Sequence, residues 1–375
     1  MAAMARIIAR HALEIKPGHR VLIDALDDCE ELIIAVIDAV NAEGGLPYLQ
    51  HQSLRVRRSW LIGATIEQLD MWFDHTLSVR KDMDRVLMIR GQDNWSELID
   101  VPPATLRYFG NLHIRLGREG RKEGFKSTII RYPSKSLAQQ RSMSTDAFTD
   151  FFFKVCAMNF KTLYREMEPL KEAIDRANDV RIVAPDTDLT FSIEGLNTSI
   201  SAGTWNIPDG ETAMQIVRES VNGRIAYNIP SSHQGLVFSD IALTFEKGKV
   251  IDVQASEKEK MEAILDTDEG ARYIGEFAIG VNPYLTTHMI DTLFDEKMAG
   301  SLHFTPGGTD SDGNTSKVHW DIVQSHLSNY GGGEIFLDGR LWRKNGLFVD
   351  SGMQRLNPES LALILDADDG TGSWC

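Results

Sequence analysis

Between Glu30 and Ala42 the apolar residues Leu32, Ile33, Val36, Ile37 and Val40 recur three and four positions apart, which predicts an amphipathic helix. Gly44-Gly45 closes it, because glycine readily takes the backbone shape that ends a helix. Short apolar runs lie around it: Arg20-Val21-Leu22-Ile23-Asp24, Pro47 to Gln50, Arg85 to Ile89 and Ser127 to Ile130. Each suits a buried strand. Ala2 to Leu13 suits a first helix, and Thr145 to about Ala177 a closing helical segment whose Phe148, Phe151, Phe152 and Phe153 read as packing residues. Alternating strand and helix over residues 1–177 predicts an α/β domain, a parallel, doubly wound sheet with helices on both faces.

After Asn178 the texture changes to short strands and frequent turns. Val180 to Val183, Leu189 to Ile193, Gly223 to Ile229, Ile241 to Phe245 and Lys249 to Val253 are predicted strands. Glu246-Lys247-Gly248 and Leu337-Asp338-Gly339-Arg340 read as hairpin turns, and one helix is expected from about Lys258 to Tyr273. Residues 178–375 are therefore expected to form a mainly β domain, a curled or barrel-like sheet. A length of 375 residues fits this division into two domains.

Charge narrows the partners. A net charge of −15 argues against a nucleic-acid backbone, which needs clustered Lys and Arg, and against an anionic membrane surface. The basic stretch from Arg115 to Lys126 reads as a solvated face. No run of eighteen apolar residues occurs, so no membrane span is expected. Cys29, Cys156 and Cys375 are scattered, which suits inert thiols in a reducing cytoplasm. The turn after the first strand, Ala25-Leu26-Asp27-Asp28-Cys29, has two acids and no glycine, so a dinucleotide pyrophosphate is not expected there.

The candidate chemistry lies in the second half. Glu211 follows the tight-turn composition Pro208-Asp209-Gly210, Glu276 stands before the apolar Phe277-Ala278-Ile279, and His303 lies in Ser301-Leu302-His303-Phe304. His319-Trp320-Asp321 has the spacing that puts two side chains on one face of a strand. Zinc, cobalt and manganese accept imidazole nitrogen and carboxylate oxygen together. Singly, each residue also fits an ordinary hydrogen-bonded histidine or salt-bridged acid.

The segments Asn206-Ile207-Pro208-Asp209-Gly210-Glu211, Gly275-Glu276-Phe277-Ala278-Ile279-Gly280-Val281-Asn282-Pro283, Leu302-His303-Phe304 and His319-Trp320-Asp321 resemble, in order and wording, the metallo-aminopeptidase family of aminopeptidases T and S. The resemblance implies a two-metal site of Zn, Co or Mn with Glu211, Glu276, His303, His319 and Asp321 as ligands. It implies cleavage of an amide bond beside a free amino group by a metal-activated water, with Glu211 and Glu276 as catalytic carboxylates, and a homodimer acting on a peptide or amino-acid amide. One departure stands out: where the family has a tyrosine seven residues after the first histidine, this chain has Asp310. The 2,5-dihydroxypyridine ring-cleaving dioxygenases look like distant members of the same fold. This chain has Glu276 and His303 where those resemble histidine and serine, so an Fe(II) oxygenase is the alternative. A non-catalytic relative in which these residues form polar core networks is a third reading.

Overall fold

A computed structural model describes residues 1–233 and 235–367; Cys375 lies outside the described residues. The chain divides into two compact units, one of residues 1–157 with 203–208, the other of residues 158–202 with the described residues from 209 onward.

In the first unit the apolar runs become strands β1 (Arg20–Asp27), β2 (Leu46–Gln52), β3 (Arg85–Gly91) and β4 (Lys126–Arg131). They pair in parallel in the order β2-β1-β3-β4, and the short strand Asn206–Ile207 extends the sheet beyond β4. Helices α1 (Ala2–Ile7), α2 (Glu30–Ala42), α3 (Leu54–Ile62), α4 (Ile66–Lys81) and α5 (Pro103–Glu119) complete the doubly wound pattern. The helical periodicity of α2 buries Leu32, Ile33, Val36 and Val40, as its spacing requires. α4 starts where Thr65 and Gln68 satisfy each other's backbone N–H groups in a capping box. The helices α3 to α5 share an apolar core of their own, with Leu61, Leu69, Phe73, Phe109, Leu112 and Leu116. A separate cluster on the sheet joins Leu22, Met83 and Val86.

The second unit contains an eight-stranded sheet and a six-stranded sheet, each open at its edges among the described residues. The expected barrel-like closure is therefore corrected to open sheets. Alternating apolar positions require only that one face be covered, and a second sheet covers it as well as closure does. The predicted helix from Lys258 ends earlier, at Leu265, and a 3-10 turn Glu269–Arg272 follows.

The six-stranded sheet positions the candidate residues. Its strands are β5 (Glu211–Met214), β6 (Ile274–Gly280), β7 (Ser301–Thr309), β8 (Thr315–His319) and β9 (Ile322–Ser325), with Ser199–Ser201 on the far side of β5. Antiparallel register sets Glu211 opposite Gly280, Ala278 opposite His303 and Glu276 opposite Thr305. Side chains alternate along a strand, so Glu211, Glu276, His303 and Thr305 share one face. The other face carries Phe277 and Phe304, whose rings lie 5.1 Å apart. Both meet Phe191 of the larger sheet edge-on, at 4.9 and 5.3 Å. The aromatic face drives burial, and the polar face is rigid because its reverse side is packed.

Phe304→Ala is expected to lower unfolding free energy by about 3–5 kcal/mol, the usual cost of emptying a packed aromatic site. Leu363→Ala, at a side chain 72% exposed, is expected to change it by less than about 0.5 kcal/mol. Urea denaturation of the two variants checks both.

Candidate metal centre

Two glycines bring the candidate groups to one spot. β6 carries a bulge at Gly275, where a Cβ would lie 2.1 Å from the Gly307 carbonyl oxygen, so only glycine lets β7 pass this close. At Gly280 a Cβ would meet the carbonyl oxygens of Met298 and Glu296 at 2.5 and 2.7 Å. The turn Asp295-Glu296-Lys297-Met298 thus lies directly against β6, beside the position facing Glu211. This brings Glu296 and Lys297 into the site, two residues that the sequence reading passed over.

His303 is the hub. Its Nδ1 is 3.9 Å from Glu211 Oε2, and its Nε2 is 3.6 Å from Glu276 Oε1 and 3.9 Å from Asp321 Oδ1. His319 Nε2 is 3.4 Å from the same Asp321 oxygen. All five predicted residues therefore converge. Thr305 donates its hydroxyl to Asp321. The pair His319 and Asp321 is aimed by Trp320, whose buried indole donates to Ser231 Oγ at 2.8 Å and stacks on His233 at 4.6 Å. Glu296, His303 and Asp321 each offer a ligand atom, and these atoms all lie within 4.8 Å of one another.

Lys297 is fully buried and touches three acids: Glu211, Glu296 at 2.8 Å and Asp209 at 3.8 Å. Burial works against its charge, but the carboxylates of Glu211, Glu296 and Asp209 overcome it and hold the ammonium well above its ordinary pKa. Burial pushes the carboxyls of Glu211 and Glu296 up to about 7, against the pull of Lys297. His319 is raised to about 10, chiefly by Asp321. At His303 desolvation is outweighed by Glu276, Glu211 and Asp321, and its pKa rises to about 9. Asp321 is buried too, yet His319 and His303 keep it below the usual carboxylate range. Acids outnumber the fixed cation here, so the pocket is electrostatically suited to a further positive charge.

The fit to a divalent ion rests on two orphaned atoms. Glu211 Oε2 and His303 Nδ1 are both buried without a hydrogen-bond partner among the described residues. They are a carboxylate oxygen and an imidazole nitrogen, the donor types that zinc, cobalt and manganese accept. Exposure separates the two glutamates: the Glu211 side chain is 7% exposed and bound to Lys297, whereas that of Glu276 is 28% exposed.

Asp310 is committed elsewhere. Its carboxylate accepts from the backbone N–H groups of Asp312 and Asn314 and pairs with Arg218 at 3.1 Å. Arg218 in turn lies 3.9 Å over the Tyr273 ring. Asp310 thus anchors its own turn. Of the cysteines, Cys29 and Cys156 are buried thiols; burial raises the first to about 12 and the second well above its ordinary value.

Similarity to known proteins adds to this geometry. The chain is 31% identical over 193 residues to aminopeptidase T of Thermus aquaticus, covering 44% of this chain and 46% of that protein. It is 28% identical over 152 residues to aminopeptidase AmpS of Bacillus subtilis, covering 36% and 37%. The chain thus spans less than half the length of these relatives in the matched segments. Wild-type AmpT of Thermus thermophilus shares the fold, with a TM-score of 0.77 at 20% identity over 93% of this chain and 98% of that one. The fold is also that of 2,5-dihydroxypyridine dioxygenase from Pseudomonas putida, with a TM-score of 0.58 at 11% identity over 94% and 98%. Residues 1–333 match the family model described as thermophilic metalloprotease (M29), and the chain belongs to that family.

Proposed function

We propose that this chain is a metal-dependent, aminopeptidase-like hydrolase that cleaves an amide bond next to a free amino group of a peptide or amino-acid amide. The observation that carries the reading is the orphaned pair Glu211 Oε2 and His303 Nδ1 inside a buried group of acids and histidines. Membership of a metalloprotease family supports it. The metal ligands of this reading are Glu211, Glu276, His303, His319 and Asp321, with Glu296 added. Six ligands of this kind suit two ions of the Zn, Co or Mn type.

A divalent ion held there would polarise the scissile carbonyl and ease the ionisation of water. The protein's own groups do the rest. Glu276, the half-open carboxylate, takes the proton from the attacking water and returns it to the leaving amine. Glu211 and Glu296 stay fixed because Lys297 holds both. Thr305 and Trp320 keep Asp321 and His319 in place. Carboxylate excess favours a substrate whose amino terminus is protonated. With Asp310 engaged by Arg218, no tyrosine hydroxyl acts from that position.

The family resemblance extends the proposal to a cytoplasmic homodimer. Edge strand β2 exposes Leu46, Tyr48 and Leu49, apolar side chains beside an unpaired backbone edge, which supports association. Buried, unpaired thiols suit a reducing compartment. No helix among the described residues is long and apolar enough to cross a membrane.

Three outcomes are expected. Glu276→Ala abolishes both tight metal binding and hydrolysis of leucine anilide, and full turnover by that variant sinks the proposal. Glu296→Ala weakens metal binding by at least the roughly 10–100-fold that loss of an outer-shell partner costs; titration with a chelator of known affinity measures it, and wild-type affinity removes Glu296 from the ligand set. Light scattering of the full chain gives twice the chain mass, whereas a monomer at micromolar concentration rejects the dimer.

A further inference from the structure

The first unit half-buries three guanidiniums, Arg57, Arg80 and Arg90, and of these Arg90 alone pairs with an acid among the described residues. Arg90, next to last in β3, donates to Asp24 Oδ2 at 2.9 Å and to the Asp24 carbonyl oxygen at 3.0 Å on β1. Arg57 of α3 lies 5.8 Å over the Phe109 ring of α5 and donates to Gln52. Arg80, in the last turn of α4, passes over Gly120, where a Cβ would lie 2.8 Å from its Cδ, and sits 5.8 Å from the Phe125 ring. Its Nε is buried with no hydrogen-bond partner among the described residues. His113 of α5 is wedged between Trp72 and Phe109, at 5.0 and 4.6 Å.

These groups act on one another. The charge of Arg57 is disfavoured by burial, and that of Arg80 likewise; each also feels Arg90. His113 is pushed down to about 3, first by burial and then by Arg57 and Arg90, so it stays neutral near pH 7. Asp24 and Asp27 are the acids that reach this group, and Asp24 already holds Arg90. Three guanidiniums thus face two carboxylates, in a protein whose net charge is −15.

Arg90 also lies near a place where open α/β sheets bind ligands. β1 and β3 are neighbours from which the chain winds outward in opposite directions, to β2 on one side and β4 on the other. Open α/β sheets bind ligands in the crevice at the carboxyl ends of such a strand pair. Arg90 stands at that end of β3. Helices α3 to α5 have an apolar cluster distinct from the one on the sheet. A half-buried guanidinium without an anion is costly, and its planar fork fits an oxyanion better than any other ligand.

We propose that Arg57, Arg80 and Arg90 form a binding site for an oxyanion group, a phosphate or a carboxylate, between the sheet and helices α3 to α5, independent of the metal centre. Aromatic side chains at its edge, Trp72 and Phe109, suit the remainder of a small organic anion.

Calorimetric titration of inorganic phosphate into the full chain, treated with chelator so that no bound cation takes up phosphate, tests the site. A parallel titration with malonate separates the two oxyanions, and tighter binding of one identifies the group. Saturable binding is expected, weakened about 10-fold or more by Arg80→Gln and by Arg57→Gln. Arg176→Gln, at a side chain 75% exposed, should leave it unchanged. If a glutamine variant does not fold, Arg80→Lys replaces it: it keeps the charge and loses the fork, so weaker binding supports the site. Metal content and leucine anilide turnover of Arg80→Gln should match the parent, which separates this site from the hydrolase reading. Absence of saturable binding for both anions, or parental affinity in Arg57→Gln/Arg80→Gln or in Arg80→Lys, would overturn the proposal.

Discussion

A lysine without solvent, among three acids, is the constraint on which the candidate centre depends. Lys297 is fully buried and reaches Glu211, Glu296 and Asp209. Take it away, and at least two carboxylates face each other in a medium of low polarity, where like charges within a few ångströms cost several kcal/mol. With it present, Glu211 and Glu296 keep fixed positions while acidity remains in excess. The ion pair thus holds the acids in place without cancelling their charge.

That arrangement needs a sheet with two unlike faces. Phe277 and Phe304 bind the sheet to Phe191 on one side, while Glu276 and His303, one position away in each strand, occupy the other. A one-residue slip would exchange the faces. The bulge at Gly275 and the close approach at Gly280 fix the register locally and admit the turn that bears Lys297. Aromatic packing therefore supplies the stability from which a cluster of buried acids, itself destabilising, can be maintained.

Much of this was legible in the residues. The span of α2 is the one its apolar spacing predicts, and the parallel strands extend by a few residues the runs that mark them. Glu211, Glu276, His303, His319 and Asp321 converge because each stands in or beside an apolar run, which is what a rigidly held polar side chain requires. Glu296 and Lys297 escaped notice because three neighbouring charges do not by themselves distinguish a buried turn from a solvated one; the signal was Gly280, a glycine ending a strand where a neighbouring backbone must come close. Closure of the β domain was misread because alternation along a strand reports which face is covered, and says nothing of what covers it. At Asp310 the family resemblance marked a missing tyrosine, while the partner that explains the acid, Arg218, lies 92 residues earlier and is found only by folding the chain.

The proposed role of the acids and histidines around His303 is to hold catalytic metal. Crystallography of the protein soaked with manganese or zinc, with anomalous scattering recorded at the metal edge, tests it most directly. Anomalous peaks are expected within bonding distance of His303, Asp321, Glu296, Glu276 and Glu211, with Lys297 still paired to its acids. Peaks elsewhere, or none at this cluster at saturating metal, would contradict it.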